Sequence, residues 1–183
     1  MSVADEVFMI FQTRGAGAYF GERVSMIEHS LQAAHFARQE NAPAALVVAA
    51  LLHDIGHLVE AVPDAIEDWT ADAHHEAVGS RWLAQRLRPE VSEPVRLHVP
   101  AKRYLCARDQ DYAARLSPAS VATLRLQGGP MSPDELSQFE TERYFRESVR
   151  IRQWDDQGKV VGLRTAGLET YRDLIDEFSL SKA

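Results

Sequence analysis

Ala44–His57 reads AALVVAALLHDIGH. Ala44–Leu52 is apolar throughout, long enough for a buried helix and far short of the ~20 residues that cross a bilayer. Pro43 suits the first position of that helix and Gly56 its end. A helix that is hydrophobic all round needs neighbours on every side. Yet the run delivers His53, Asp54 and His57 into the same core. A buried carboxylate without a cation costs several kcal/mol or takes up a proton. A metal ion satisfies it. Imidazole nitrogen suits iron, manganese or zinc, and one carboxylate can bridge two such ions.

Working outward, the pattern is helical on both sides. Ala4–Gln12 reads as a first helix, followed by a glycine-rich loop, Arg14–Glu22. Ser25 with Glu28 has the spacing of a capping box, and Ile27, Leu31 and Ala34 then share one face of a second helix. Beyond the quoted run, Leu58–Thr70 reads as an acid-rich loop. Asp72 is placed to cap a fourth helix that runs to Leu87 and stops at Pro89. A helix over Pro94–Ala107 should be disturbed at Pro100. Ser117-Pro118 opens a short helix, Gly128-Gly129-Pro130 breaks the chain, and Ser132-Pro133-Asp134-Glu135 starts another helix. Arg146–Asp156 and about Gly167 to Leu180 complete the set. Nothing alternates in the manner of a strand flanked by hairpin turns. The expected fold is all-α, one helical bundle over residues 1–183.

Composition bounds the class of protein. The chain has 183 residues, 45% hydrophobic and 26% charged, which is ordinary for a globular domain. MSVADEVFMIFQTRG carries acids early and no basic segment ahead of an apolar stretch, so no signal peptide is expected. One cysteine, Cys106, permits no internal disulfide and fits a reducing, cytoplasmic setting. A net charge of −7 without a basic run argues against nucleic-acid binding. No membrane association is expected, and the sequence sets no oligomeric state. A small anionic substrate is compatible, because a few buried cations or metals outweigh a diffuse negative surface.

Four further groups recur on separate helices. His29 lies beside Ile27 and Leu31, His74 and His75 lie in the fourth helix, His98 in the fifth, and Asp155 follows Trp154. Histidines and carboxylates converging from several helices resemble a bundle-core metal site. Each has a blander reading when taken alone. His53-Asp54 would be a helix end with an exposed acid. Lys102 and Arg152 would be solvated charges, Ser120 a helix cap, Thr123 a core threonine and Tyr19 a loop anchor. His35 has no motif and reads as structural. Trp69, Trp82 and Tyr104 read as core.

The pattern His29, His53-Asp54, His75, His98, Asp155 resembles the HD-domain superfamily. Accessory pieces narrow the likeness: Tyr19-Phe20-Gly21-Glu22 ahead of His29, LLHDIGH, His74 to Gly79, His98 to Leu105, Leu116 to Ser120, Gln127 to Met131, and Arg150-x-Arg152-x-Trp154-Asp155. The chain looks most like the mixed-valent diiron oxygenases that cleave phosphonates. The resemblance implies two iron ions, Fe(II)/Fe(III), with dioxygen as co-substrate. One iron would take His29, His53, Asp54 and Asp155; the other would share Asp54 and add His75 and His98. Tyr19 would rest on that second iron, with Glu22 beside it as a lid. His57, Lys102, Ser120, Thr123 and Arg152 would hold the phosphonate. His74 would be a neighbour of the site or a surface residue, chosen against by the family spacing.

Spacing agrees with parts of this. Lys102 lies one turn beyond His98, and Arg152 precedes Asp155 by three residues, so each pair can face one pocket. Cations beside a metal site make sense when an anion sits between them. The implied activity is oxidative cleavage of the carbon–phosphorus bond of a 1-hydroxyphosphonate. The expected substrate is (R)-1-hydroxy-2-(trimethylammonio)ethylphosphonate, giving glycine betaine and phosphate; 2-amino-1-hydroxyethylphosphonate, giving glycine, is the alternative. A metal-dependent phosphohydrolase and a non-catalytic sensor module compete with this reading. A hydrolase has no reason to cover its open metal position with Tyr19, and a degenerate module would lose ligands.

Overall fold

The computed structural model describes residues 1–19, 21–59 and 75–180. Its helices are α1 Val3–Arg14, α2 Met26–Gln39, α3 Ala44–Leu52, α4 Gly56–Val59, α5 His75–Ala84, α6 Pro89–Arg96, α7 His98–Arg108, α8 Gln110–Ala114, α9 Pro118–Leu126, α10 Pro133–Phe139, α11 Phe145–Gln157 and, after a 3-10 turn at Leu168–Tyr171, α12 Arg172–Glu177. Among the described residues there is no strand, only isolated bridges pairing Ala18 with Ser25 and Leu87 with Ser179. The fold is an all-α bundle.

α3 is its axis. Every residue from Leu46 to Leu52 is buried, and α2, α6, α11 and α12 pack around it. Its apolar sequence is what this surround requires. Leu51, Leu52, Ile151, Trp154, Tyr171 and Ile175 meet in the main core. A smaller cluster of Leu97, Ala101, Met131 and Phe139 anchors α7 and α10 beside it.

Capping boxes form at Ser25–Glu28 and Ser132–Glu135, and Ser117 caps α9. Four boundaries differ from expectation. Gly56 opens α4 instead of ending α3, because α4 crosses α5 at backbone distance: a Cβ on Gly56 would lie 2.0 Å from the His75 carbonyl oxygen. Pro89 stands at the first position of α6, whereas α5 has already ended at Ala84. The break in the next segment falls at Leu97 and not at Pro100. Pro100 then sits in the first turn of α7, where its missing N–H has no intrahelical partner to lose. The last helical segment is shorter than expected and begins as a 3-10 turn. The expected cap at Asp72 and most of the expected acid-rich loop, together with Phe20, Trp69 and His74, lie outside the described residues.

Candidate active site

Three helix ends aim at one point. Carbonyls in the last turn of a helix have no intrahelical partner, and here they take imidazole protons. His53 Nδ1 donates to the Ala50 carbonyl at the end of α3, 2.8 Å away, and His98 Nδ1 to Val95 at the end of α6, 2.7 Å away. His29 Nδ1 donates to Gly158 at the end of α11, 2.9 Å away. A carbonyl can only accept, so each ring carries a proton on Nδ1 and turns its Nε2 to the interior. The negative ends of the three helices also favour a cation there.

The Nε2 nitrogens face each other in pairs. His29 Nε2 lies 3.1 Å from His53 Nε2, and His75 Nε2 lies 3.1 Å from His98 Nε2. In the first pair both Nδ1 protons are held by carbonyls, so the two Nε2 atoms turn inward at a distance where they share either one proton or a metal ion. Asp54 stands between the pairs. Its Oδ2 lies 3.5 Å from His29 and 3.3 Å from His53; its Oδ1 lies 3.3 Å from His75 and 3.4 Å from His98. Among the described residues two groups therefore have the reach to hold an ion, His29–His53–Asp54 and Asp54–His75–His98. Asp155 Oδ1 lies 3.5 Å from His29 Nε2 and, among the described residues, is buried without a hydrogen-bond donor. Its Oδ2 is held by Arg152 Nη1 at 2.7 Å. This nitrogen and carboxylate set fits a pair of transition-metal ions with one bridging carboxylate. Burial pushes the Asp54 carboxyl up, but the His53 charge and hydrogen bonds from His29, His53 and His75 hold it well below the usual carboxylate range.

Tyr19 closes the site from the loop before α2. Its ring stacks on His29 with centroids 3.8 Å apart. Burial and the carboxylates of Asp155 and Asp54 push its hydroxyl well up, so it is a donor, reaching Asp54 Oδ2 at 2.8 Å. That oxygen belongs to the His29–His53 half, whereas the resemblance placed Tyr19 on the other metal. His57 stacks on His75 at 3.9 Å, brought there by the α4–α5 crossing. Burial, and then the neighbouring His75, push its imidazole well down, so it stays neutral.

Beside the Asp54–His75–His98 group is a cavity of about 40 Å³ lined by Tyr19, Glu22, His57, Lys102, Ser120, Thr123, Gln127, Arg152 and Lys159. Lys102 and Arg152 are only 2% and 4% exposed, which rules out the reading of solvated charges. Lys102 Nζ donates to Thr123 Oγ1 at 2.9 Å. Burial, then the nearby Arg152, push the Lys102 ammonium down to about 7. Ser120 is not the cap of α9, a role that Ser117 takes; its hydroxyl receives Lys159 Nζ at 3.0 Å. His35 lies against Phe36, Trp82 under Arg86 at the edge of the main core, and Tyr104 with the smaller cluster.

Three participants escaped the sequence reading, Tyr112, Asp156 and Lys159, and Gln127 entered it only as the start of the Gln127–Met131 piece. Arg152 Nε meets Tyr112 Oη and Asp156 Oδ2, each at 3.0 Å, and its Nη2 pairs with Asp156 Oδ1. Tyr112 donates to the same carboxylate at 2.6 Å. The spacing of Arg152 and Asp156, one helical turn, was a signal for that pair. Tyr112, from the distant α8, gave none.

Residues 26–128 match the HD domain family. The chain is 41% identical to the hydroxymethylphosphonate dioxygenase of Gimesia maris over 171 residues, 93% of this chain and 85% of that protein. It is 42% identical to the glycine-betaine-forming 1-hydroxy-2-(trimethylamino)ethyl phosphonate dioxygenase of Leisingera caerulea over 156 residues, 85% of this chain and 80% of that one. Among the described residues no helix is long and apolar enough to cross a membrane. With its helices, its paired histidines and likeness over most of its length, the chain belongs to the HD-domain family and, within it, to the branch of the phosphonate dioxygenases.

Proposed function

We propose that this chain is a diiron oxygenase that cleaves the carbon–phosphorus bond of a 1-hydroxyphosphonate. The observation that carries the reading is a bridging carboxylate between two imidazole pairs, opening on a buried pocket with cations. The reaction balances without an outside reductant: R–CH(OH)–PO₃H₂ and O₂ give R–COOH and H₃PO₄. The carbon–phosphorus and one carbon–hydrogen bond break, and the substrate supplies all the electrons. His29, His53, Asp54 and Asp155 would hold one ion; Asp54, His75 and His98 would hold the other. Iron in two oxidation states, Fe(II) and Fe(III), would supply electron transfer and dioxygen activation, which zinc cannot.

The residues around the metals then divide the work. Lys102, Arg152, Ser120 and Thr123 offer donors to phosphonate oxygens, and Arg152 is fixed in rotation by Asp156 and Tyr112. That leaves little reorganisation when the anion arrives. His57, held neutral, can take or give one hydrogen bond at the pocket wall. Tyr19 and Glu22 cover the centre and would move aside for substrate. Small cavity size and buried walls keep water away from the reacting carbon.

Two substituents on the substrate have support. A trimethylammonio group has the Leisingera relative and the Tyr19 ring beside Glu22 in its favour. A bare hydroxymethyl group has the Gimesia relative. The test is an oxygen-uptake screen on the iron-loaded protein with hydroxymethylphosphonate and its 2-amino and 2-trimethylammonio relatives, followed by phosphate. Equal dioxygen uptake and phosphate release with one of them is expected. Phosphate release from phosphate esters without dioxygen uptake would instead make this a hydrolase.

A further inference from the structure

Lys159 follows α11 on the turn at Gly158 and points back into the cavity, 12% exposed. Its Nζ donates to Ser120 Oγ at 3.0 Å. It lies 3.9 Å from Glu22 Oε1, 3.6 Å from Asp156 Oδ1 and 4.0 Å from Asp155 Oδ1. The centre of the Tyr19 ring is 6.0 Å away. Glu22 Oε1 is buried and accepts no hydrogen bond among the described residues. A carboxylate, an aromatic face and a hydroxyl around one point are the chemistry that seats an alkylammonium. Here a side chain of the protein already sits in that seat.

We propose that Lys159 is a specificity-determining residue: its ammonium occupies the place of a substrate ammonium, so the site selects a hydroxyphosphonate with no cationic substituent, hydroxymethylphosphonate being the smallest. The inference rests on the reading of the chain as a hydroxyphosphonate oxygenase and settles its substrate class. Three arguments carry it. The first is charge. Lys102, Arg152 and Lys159 line the cavity; of the described lining acids Asp54 faces the metal positions, Asp155 stands between His29 and Arg152, and Glu22 faces Lys159, while Asp156 pairs with Arg152 and Lys159 from behind. A phosphonate dianion suits that balance; a second cation on the substrate meets like charge and must share Glu22. The second is space. With Tyr19 and Glu22 in place the cavity is about 40 Å³, room for roughly three waters, so a trimethylammonioethyl arm needs a larger displacement of that loop than a compact anion does. The third is fixity. Lys159 is tied to Ser120 on α9 and to Asp156 on α11, so its charge stays in place when the loop carrying Tyr19 and Glu22 moves.

The experiment compares iron-loaded wild type with Lys159→Ala and the unbranched, uncharged Lys159→Met. Each is given hydroxymethylphosphonate, the 2-amino and the 2-trimethylammonio compound. Two readouts are taken: kcat/KM from phosphate release in air, and affinity by calorimetry without oxygen. Wild type is expected to prefer hydroxymethylphosphonate by about tenfold or more in both readouts. Both variants are expected to shrink or invert that ratio by about tenfold, with an absolute gain on the trimethylammonio compound. A wild-type preference for either cationic compound overturns the proposal, and needs no variant to fold. So does an equal loss on all three compounds in Lys159→Met, which would make Lys159 a general phosphonate contact. If none of the three binds without oxygen, the oxygenase reading itself falls and the proposal with it. Turnover of all three in the wrong order sinks only the proposal.

Discussion

In the half of the centre that holds His29 and His53, both imidazoles are pinned by backbone carbonyls, and Asp155 is braced from behind by Arg152. In the other half, among the described residues, only His98 has such a pin, at Val95. His75 opens α5, with Nδ1 3.7 Å from Glu76 Oε2 and its ring against His57. The first half can offer a metal His29, His53, Asp54 and Asp155; the second offers Asp54, His75 and His98. Fewer protein donors among the described residues mean more positions for substrate, and this half faces the cavity with the cations. A site with protein on all sides holds its ion; one with open positions does chemistry. The comparison teaches that two look-alike histidine pairs can serve different ends, one anchoring and one reacting.

The largest effect should come from removing what the halves share. Asp54→Ala is expected to empty both positions, and elemental analysis should find almost no iron. His98→Ala, in contrast, should lower iron from two per chain to about one, because the first half keeps its own ligands. Full iron in Asp54→Ala, or loss of both ions in His98→Ala, would break the division into halves.

Arg152 touches both sides of the comparison. Arg152→Ala is expected to weaken hydroxyphosphonate binding roughly 100-fold, equivalent to about 3 kcal/mol, while iron stays near its wild-type content. Loss of iron from the first half with affinity unchanged would reduce Arg152 to a brace for Asp155.

The smallest effect is on pH dependence. The ammonium form of Lys102 attracts the anion, and its pKa in the free site is pushed down to about 7. The charge is therefore present below pH 7 and lost as pH rises through it. Affinity for the anion should fall by up to about tenfold per unit above that point, in a profile that Lys102→Met flattens. A wild-type profile that is level to pH 9 would contradict this.

Much of the bundle was legible because its signals are local. Ser25 with Glu28 and Ser132 with Glu135 mark helix starts by side chains that reach only a turn away, and the apolar run of α3 states its own burial. The candidate ligands His29, His53, Asp54, His98 and Asp155 stood out for the opposite reason: they are polar groups in apolar surroundings, and the conflict flags them. His75 was preferred to His74 on family spacing alone. The break at Leu97 was not visible, since two prolines nearby offered more obvious places. Nor was the meeting of His57 with His75, which depends on Gly56 letting two backbones touch. Tyr112 was hidden because it reaches the site from a separate helix, with nothing in its neighbours to mark the direction, whereas Lys159 stands four residues beyond Asp155, a spacing that was a signal for it.

The account stands most directly on the electron-paramagnetic resonance of the iron-loaded protein, read together with its metal content. It predicts two irons per chain, in the two groups around Asp54, and the signal of a coupled mixed-valent pair that changes when hydroxyphosphonate is added without oxygen. A single isolated ferric signal, or full activity in protein loaded only with zinc, would contradict it.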